Sequence, residues 1–396
     1  MTLLLKSMRE EIEFIFKKVS LMILFFIGMP VLTLWFAGAY AHEYVNDIPI
    51  AVLDEDNSSL SRQIAKYFDD NERFKIEYYA SNREELERLI HLKKANMGVY
   101  LPPHLSEKVL RGEGSQVLIL TDGANVVIGN NAYAGAAEII QTVAAGTEIK
   151  MIEAKGSLPN KTATSMTLPF TFTDRMLYDS KLTYMNYLIY GFMTVFFQQL
   201  MLSGLATLIF RNPKQTAGDH PFTRLMAKVI VAAALLMLTG SLAIYMINRK
   251  YGVIFAGDIK LALLMSSLFA VAISAVAILL CALTKDKIKF SQVSYMLSLP
   301  TFLACGYVWP VEQMPSLLVK IVKLIWPLIY FSRPFDEIMV KGLAFEAIRQ
   351  NAISLVLYSI VFMPLTLWVF KKRFTTDEIT KCNEDTSILI RGEVNL

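Results

Sequence analysis

The 396-residue sequence has few cysteines and a low share of charged residues. Its three cysteines are Cys281, Cys305 and Cys382, and none falls between Tyr40 and Tyr184. That stretch therefore has no disulfide framework and no paired-cysteine metal site. Charged residues make up 19% of the chain, whereas soluble domains contain about 25%. The low charge argues against a wholly soluble protein.

Motifs of several soluble protein classes are also missing. The sequence has no G-x-x-x-x-G-K-[ST] motif, so it does not bind ATP through a P-loop, and any ATPase must be another polypeptide. The balance of 39 basic and 35 acidic residues, a net charge of +4, is too small to indicate nucleic-acid binding. No small-x-small cleavage site follows a short apolar core, so no cleavable signal peptide is predicted. The histidines lie without metal-ligand spacing, at His42, His91, His104 and His220.

Long apolar stretches are what the sequence does have. Hydrophobic residues make up 54% of the chain, and its mean hydropathy is +0.42. A helix needs about 20 apolar residues to cross the hydrocarbon core of a membrane. We therefore predict an α-helical polytopic membrane protein with six transmembrane helices. The predicted spans are 19–40, 182–210, 225–247, 261–283, 291–309 and 352–370.

A seventh apolar stretch, 317–331, is too short and too charged to be a span. Lys320 and Lys323 lie within it, and Pro327 breaks it. A charge at the centre of a membrane helix costs about 2.5–3.5 kcal/mol on insertion scales. Residues 310–335 are therefore predicted to form re-entrant helices on the outer side.

Clusters of lysine and arginine determine the predicted orientation, because short cytoplasmic loops are enriched in both residues. Six spans place all of these clusters, both termini and the tail 371–396 in the cytoplasm. The clusters are Lys6, Arg9, Lys17 and Lys18; Arg211, Lys214 and Arg224; Lys285, Lys287 and Lys289; and Lys371, Lys372 and Arg373. Arg249, Lys250 and Lys260, in a predicted outer loop, oppose this orientation.

Residues 41–181 then form one long extracytoplasmic insertion between the first two spans. Strand-like patterns alternate in it with helix-like patterns, and a longer helix is predicted from Asn125 to Ala154. Such alternation favours an α/β sandwich with a mixed sheet. The predicted strands are 48–53, 74–79, 97–101 and 116–121, and the shorter predicted helices are 59–69, 83–94 and 104–111.

The stretch IPIAVLDEDNSSLSRQI places Asp54-x-Asp56 after an apolar strand, as phosphatases of the haloacid dehalogenase type do. In that interpretation Asp54 is the nucleophile and Asp56 the general acid, but a lysine and a distal acidic pair for magnesium are also needed. The acidic pair at 69–70 comes too early in the chain to serve. The other interpretations are a ligand contact and a turn, in which Asp56, Asn57 or Ser58 caps the following helix.

Polar side chains inside the predicted spans are candidates for a translocation path. Gln198 and Gln199 lie mid-span, and Asn186 lies nearer the outer end. Such groups usually hydrogen-bond a neighbouring helix and sometimes line a pathway. Both interpretations stay open from the sequence.

Residues 1–18 have the features of an amphipathic helix that lies along the cytoplasmic membrane interface. One face is apolar and the opposite face is charged. A plain basic flank to the first span is the alternative interpretation. The apolar face comprises Leu5, Met8, Ile12 and Ile15 or Phe16, and the charged face comprises Lys6, Arg9, Glu10 and Glu13.

Taken together, four stretches resemble the membrane subunit of a type-2 ABC exporter, the ABC-2-type permease, in the subfamily with a large extracytoplasmic domain after the first span. IPIAVLDEDNSSLSRQI is similar to the start of that outer domain, and MGVYLPPHLSEKVLRGEGSQVLILTDGAN to its strand–turn–helix–turn–strand continuation. RMLYDSKLTYMNYLIYG resembles the beginning of the second span, although Asp179 stands where asparagine is usual. GYVWPVEQMPSLLVKIVKLIWPLIYFSRPFDEIMVKG resembles the proline-rich outer connection, which that family folds as short re-entrant helices.

One departure from the family pattern lies in the loop after the second span. The family often has an Arg-Glu-x-Gly-Thr-like stretch there, where the loop contacts the ATPase. Here the loop reads RNPKQTAGDHPFTRLMAK, which retains only faint matches and leaves room for a relative that has diverged in partner or lost transport. The resemblance nevertheless implies coupling to an ATPase through the loop and the first helix. The candidate coupling residues are Arg9, Lys17, Arg211, Lys214, Thr216 and Arg224.

The resemblance implies a permease subunit that is not itself an enzyme and binds no cofactor, because ATP and magnesium belong to the partner. The expected partners are two copies of an ABC ATPase, a second copy of the chain or a paralogous permease, a periplasmic adaptor protein and membrane lipids. The expected location is the bacterial cytoplasmic (inner) membrane, and the expected substrate is amphipathic or lipid-like and moved outward. The alternatives are a non-transporting scaffold or receptor-like relative and an ectoenzyme that uses Asp54.

Overall fold

The computed structural model describes residues 2–41, 46–111, 113–124, 126–156, 177–178, 183–284 and 286–393. The chain divides into two compact units. Met1–Ala41 and Met176–Leu396 form the first, called here the membrane unit, and His42–Arg175 form the second, called here the α/β unit. From the sequence, residues 156–168 are predicted to form a linker back to the membrane. Almost all of this stretch lies outside the described residues, as does Asp179.

The membrane unit consists of helices. Before the α/β unit come α1 (Thr2–Lys17) and α2 (Val19–Ala39). After it come α7 (Tyr184–Arg211), α8 (Pro213–Ala217), α9 (Pro221–Tyr251), α10 (Ile259–Thr284), α11 (Lys287–Ala304), α12 (Ser316–Ile325), α13 (Ser332–Lys341) and α14 (Phe345–Glu393). Short 3₁₀ turns at Val311–Gln313 and Pro327–Tyr330 flank α12.

Five helices in the described part of the chain are long and apolar enough to cross a membrane, namely α2, α7, α9, α10 and the 345–374 portion of α14. They confirm a mostly helical, polytopic membrane protein. The sixth predicted span, 291–309, falls on α11, which is shorter, carries Lys287 and Lys289 at its start and contains Pro300. A sixth crossing at α11 stays a prediction.

Helix α2 contains a π-helical segment, Ile23–Ile27, directly before Gly28 and Pro30. Proline has no backbone N–H to donate and its ring crowds the carbonyl one turn earlier. π-Helical segments are rare and occur mostly as single-turn bulges inside α-helices. The stretch Gly28-Met29-Pro30 favours a kink in this helix, and the irregularity takes the form of a π bulge just before the proline.

The α/β unit contains a four-stranded mixed sheet in the order β2-β1-β3-β4. Strand β1 pairs in parallel with β2 and β3, whereas β4 is antiparallel to β3. The central strand β1 is apolar almost throughout and buried on both faces, as expected for a covered parallel strand. The strands are β1 (Ile48–Asp54), β2 (Phe74–Tyr79), β3 (Met97–Leu101) and β4 (Leu118–Thr121).

Helices cover both faces of this sheet. The helices are α3 (Ser59–Asp69), α4 (Arg83–His91), α5 (Leu105–Arg111) and α6 (Val126–Gly156). Phe68 of α3 and Ala136 of α6 pack with Ile50 and Val52 of β1 on one face. Leu86 and Leu89 of α4 pack against Ala51 and Leu53 on the other. Successive side chains of β1 thus pack alternately into two separate apolar cores, one on each face of the sheet.

Candidate functional site

Both carboxylate oxygens of Asp54 accept hydrogen bonds from the residues that follow β1. Its Oδ1 accepts the backbone N–H groups of Asp56 at 3.1 Å and Asn57 at 2.9 Å, and its Oδ2 accepts the Ser61 hydroxyl at 2.7 Å. Ser58 caps α3 and forms a reciprocal capping box with Ser61. This confirms the cap-and-turn interpretation, with Ser58 as the cap.

Asp56 connects the same turn to α5. Its Oδ2 accepts the backbone N–H of Ser106 at 3.2 Å. Burial alone would raise the pKa of Asp56, but hydrogen bonds from Ser58 and Ser106 hold the pKa below its ordinary value. Among the described residues, no group of three or more His, Cys, Asp or Glu side chains is placed to hold a metal ion. The geometry gives the ectoenzyme hypothesis no support.

The two mid-span glutamines of α7 contact different neighbours. Gln198 is fully buried, and its Oε1 accepts the indole N–H of Trp326 at 2.8 Å. Gln199 is half-buried; its Nε2 donates to the Ser294 hydroxyl at 3.0 Å, and its Oε1 accepts the Ser298 hydroxyl. Ser294 and Ser298 lie on α11, so Gln199 forms a polar seam between α7 and α11.

Asn186, the third predicted path residue, lies buried in the first turn of α7. Its backbone N–H donates to the hydroxyl of Thr183, which caps the helix, at 3.2 Å. The sequence placed it near the outer end of the span. The structure thus gives each of the three polar residues a contact inside the membrane unit, and a role in a pathway stays a prediction.

A buried ion pair joins α1 to α9. The ammonium of Lys228 lies 2.5 Å from Oε1 of Glu11, and both side chains are about nine-tenths buried or more. The pair links residues 217 positions apart in the sequence. Removing two charges from water is expensive unless they are paired. Helix α1 is therefore held against α9 by an ion pair to which each helix contributes one charge.

Arg211, at the end of α7, adds a second positive charge to Glu11. Its Nη1 lies 4.0 Å from Oε2 of Glu11, an oxygen that has no hydrogen-bond partner among the described residues. Its guanidinium lies 4.0 Å from the centre of the Phe14 ring on α1, a favourable cation–π geometry. Glu11, Arg211 and Lys228, called here the charged cluster, thus connect α1, α7 and α9.

The loop from α7 to α9 lies beside this cluster. Thr216 of α8 is buried, and its hydroxyl donates to the carbonyl of Asn212 at 2.8 Å. Arg224 reaches back to donate to the carbonyl of Gln215. These contacts fold the loop onto the start of α9. A polar recess of about 170 Å³ results, lined by Leu3, Lys6, Ser7, Glu10, Glu11, Arg211, Asn212, Gln215, Thr216, Arg224 and Lys228.

Of the predicted coupling residues, the structure brings Arg211, Thr216 and Arg224 together at this recess. Arg9 and Lys17 do not line it; both are exposed on α1, and Arg9 pairs with Glu13 of its own helix at 2.9 Å. Lys214 belongs to α8, but its side chain lies outside the described residues. The hydroxyl of Thr216 is already used in its hydrogen bond to the carbonyl of Asn212, directly before α8.

Sequence reasoning missed Glu11 and Lys228, the two centres of the cluster. A signal for Lys228 was present, because it falls inside the predicted span 225–247, where a charged side chain is costly and is usually paired or functional. Glu11 had no comparable signal, since α1 carries several acidic residues.

Helix α1 presents a second, apolar face. Leu5, Ile12 and Phe16 are each 40% or more exposed, whereas Glu11 and Ile15 are buried against the other helices. The three exposed side chains recur at helical spacing and so share one side. A helix with one face in the bundle and an exposed apolar face is suited to the membrane interface.

Comparison with known proteins identifies the class of chain. Residues 17–368 match the family model described as ABC-2 family transporter protein. The inner membrane transport permease YhhJ of Escherichia coli is 21% identical over 343 residues, covering 84% of this chain and 87% of that protein. The probable multidrug ABC transporter permease YbhR of the same organism is 20% identical, covering 78% and 82%. The probable multidrug ABC transporter permease YbhS of Escherichia coli is 25% identical over 150 residues, which cover 38% of this chain and 39% of that protein.

Proposed function

The chain belongs to the ABC-2 family of transporter proteins, and from this premise we propose that it is the membrane subunit of an ATP-driven exporter. Family membership makes it a multi-pass permease subunit of the inner membrane, and implies an ABC ATPase as partner. The proposal adds that the substrate is amphipathic or lipid-like and is moved outward. Two ATPase copies bind ATP and magnesium, and the chain pairs with a second copy or a paralogous permease.

The observation that carries the proposal is the charged cluster beside the loop from α7 to α9. A partner that moves α1 or this loop also moves α7 and α9, because Glu11 links the first helix to Lys228 and Arg211. Separating a buried pair leaves an uncompensated charge inside the protein, so the helices that carry the pair are expected to move together. The cluster is therefore proposed as the place where ATPase motion enters the membrane helices.

The charge distribution supports a cytoplasmic location for this face. Lys6, Arg211 and Arg224 line the recess, and basic side chains are favoured on the cytoplasmic side of a membrane. Both termini are then cytoplasmic and the α/β unit is extracytoplasmic, where it faces a periplasmic adaptor. The exposed apolar face of α1 rests in the inner leaflet among lipids.

The seam between α7 and α11 is proposed as part of the translocation path. Gln199, Ser294 and Ser298 place amide and hydroxyl groups between two membrane helices. Tyr295 and Met296, next to them on α11, are 62% and 79% exposed. Helix α11 thus turns two hydroxyls toward α7 and exposes large apolar side chains on its other sides, an arrangement suited to an amphipathic substrate or to a second copy of the chain.

Co-purification with the ABC ATPase from the same organism tests the proposal. The full chain and the ATPase would be co-expressed, purified in lipid nanodiscs and assayed for association and ATP hydrolysis. We expect an ATPase complex that Arg211→Glu with Lys214→Glu weakens. The matched charge reversal Arg249→Glu with Lys250→Glu, at the other end of α9, should leave association unchanged. Full biological activity with no bound ATPase would contradict the proposal and favour a scaffold or receptor-like protein.

A further inference from the structure

The α/β unit contains an open apolar groove of about 450 Å³. It lies on the side of the sheet covered by α3, α5 and α6, with the 113–117 stretch at one edge. This volume falls within the range of about 300–1,000 Å³ that is typical of small-molecule pockets. The lining residues are Leu60, Ile64, Leu105, Val109, Glu113, Gly114, Ser115, Val117, Ile140, Val143, Ala144, Thr147, Glu148 and Met151.

The floor of the groove belongs to the core of the unit. Ile64 and Leu105 are buried, while Leu60, Val117 and Val143 are half-buried and pack on that core. These side chains are positioned by the sheet and its helices. The groove is therefore a shaped surface, and it offers an apolar ligand contacts from three helices.

Among the described residues that line the groove, the charged side chains are Glu113 and Glu148, both acidic. Neither forms an ion pair with another described residue. Arg111, at the end of α5, is already paired with Glu107. The Thr147 hydroxyl donates to the carbonyl of Val143 at 2.7 Å, so it stays within α6. An apolar body with a positive charge complements this lining, whereas an anion is repelled.

We propose that the groove binds a lipophilic organic cation, with its apolar body on the α3–α5–α6 surface and its charge near Glu113 and Glu148. Binding itself requires neither ATP nor a partner. The role of the groove as an outer-side holding site for an exported substrate rests on the proposed function.

Hydrogen–deuterium exchange on the full chain in phosphatidylcholine nanodiscs tests the proposal, with no ATPase present. The probes are tetraphenylphosphonium and tetraphenylborate, which have nearly the same shape and opposite charge. We expect the cation, and not the anion, to slow exchange in peptides covering 105–117 and 140–151. Peptides covering α4, on the other face of the sheet, should be unaffected, which separates binding in the groove from partitioning into the lipid.

Variants make the test specific. Glu113→Gln with Glu148→Gln should weaken cation binding about fivefold, the size of effect that two exposed ion pairs supply. Ala144→Trp, at an exposed position in the lining, should fill the groove and abolish protection. Glu84→Gln on α4 is the matched control and should bind normally. Unchanged exchange in β1 and β3 shows that each variant is folded.

The proposal is overturned by equal protection with the anion, by no protection with either ion, or by normal binding in both groove variants. Each of these results leaves the ATPase complex of the proposed function untouched. Conversely, cation binding in the groove of a chain that associates with no ATPase would support the site while contradicting the exporter.

Discussion

Asp54 and Glu11 are both carboxylates with several partners, but they gain those partners in opposite ways. Asp54 is satisfied within seven positions of itself, by two backbone N–H groups and the Ser61 hydroxyl. Glu11 depends on Lys228 and Arg211, which belong to helices two hundred or more positions away. The first carboxylate resembles a catalytic one in the sequence, and in the structure it accepts the hydrogen bonds of a turn. The second, Glu11, was not predicted to be a functional residue, and it joins three helices.

The sequence distance between a polar residue and its partners indicates its structural role. Local partners fix the conformation of one segment and can be exchanged for water when the segment opens. Distant partners make separate elements move together, and their loss leaves an unpaired charge inside the protein. The comparison therefore predicts large effects for Glu11, intermediate effects for other long-range polar contacts, and small effects for local ones.

The largest effect is expected from Glu11→Gln. The substitution leaves the buried ammonium of Lys228 without its counter-charge, and breaking a buried pair from one side costs about 3–5 kcal/mol. Thermal unfolding of the full chain in nanodiscs should show the loss. Glu11→Leu combined with Lys228→Met removes both charges at similar volume and should recover most of the stability. Native stability in the single variant would show that the pair does not hold α1.

An intermediate effect is expected from Gln198→Leu. The substitution leaves the indole N–H of Trp326 buried without its acceptor, which costs about 1–3 kcal/mol. Trp326→Phe in the same chain removes the orphaned donor, so the double variant should be less destabilised than the sum of the two single variants. Additive losses in a double-mutant cycle of unfolding temperatures would show that the two side chains do not interact.

A smaller effect is expected from Asp54→Ala. The turn loses three hydrogen bonds, but Ser58 still caps α3, and losses of this type cost about 0.5–2 kcal/mol. Exchange of backbone amides in residues 55–61 should quicken while the rest of the α/β unit is unchanged. Asp54→Asn, which keeps one carbonyl acceptor, is the matched control and should lose less. Hydrolysis of a phosphate ester that depends on Asp54 would instead restore the ectoenzyme hypothesis.

The smallest effect is expected from Arg9→Gln. Arg9 and Glu13 form an exposed pair one helical turn apart, and such pairs contribute about 0.3–0.5 kcal/mol. Unfolding temperature should scarcely change, and 0.5 M salt should remove what difference there is, because exposed charges are screened. A loss as large as that of Glu11→Gln would contradict the ranking by partner distance.

Much of the fold followed from the sequence because its signals are local. The strands at Phe74–Tyr79 and Met97–Leu101 lie at the predicted positions, since alternation and turn residues lie within the segments themselves. The five strongest spans were also found, because length and apolarity decide them. The family was identified correctly from four stretches in a fixed order.

The charged cluster did not follow from the sequence because its members meet only in the folded chain. Arg211 and Arg224 were selected through the family resemblance, and both lie at the recess. Glu11 could not be distinguished from Glu10 or Glu13 without knowing which face of α1 packs on α9. Thr216 was placed correctly in the loop, but its hydroxyl donates to the carbonyl of Asn212, directly before α8, which spacing alone does not reveal.

ATP hydrolysis by the assembled complex tests the central claim most directly. The rate of the bound ATPase, divided by the rate of the isolated ATPase, would be compared between the native chain and Glu11→Leu with Lys228→Met. If the charged cluster transmits motion between the ATPase and the membrane helices, the variant should bind the ATPase normally and the ratio should change by about fivefold or more. A native ratio in a folded, fully assembled variant would contradict the account.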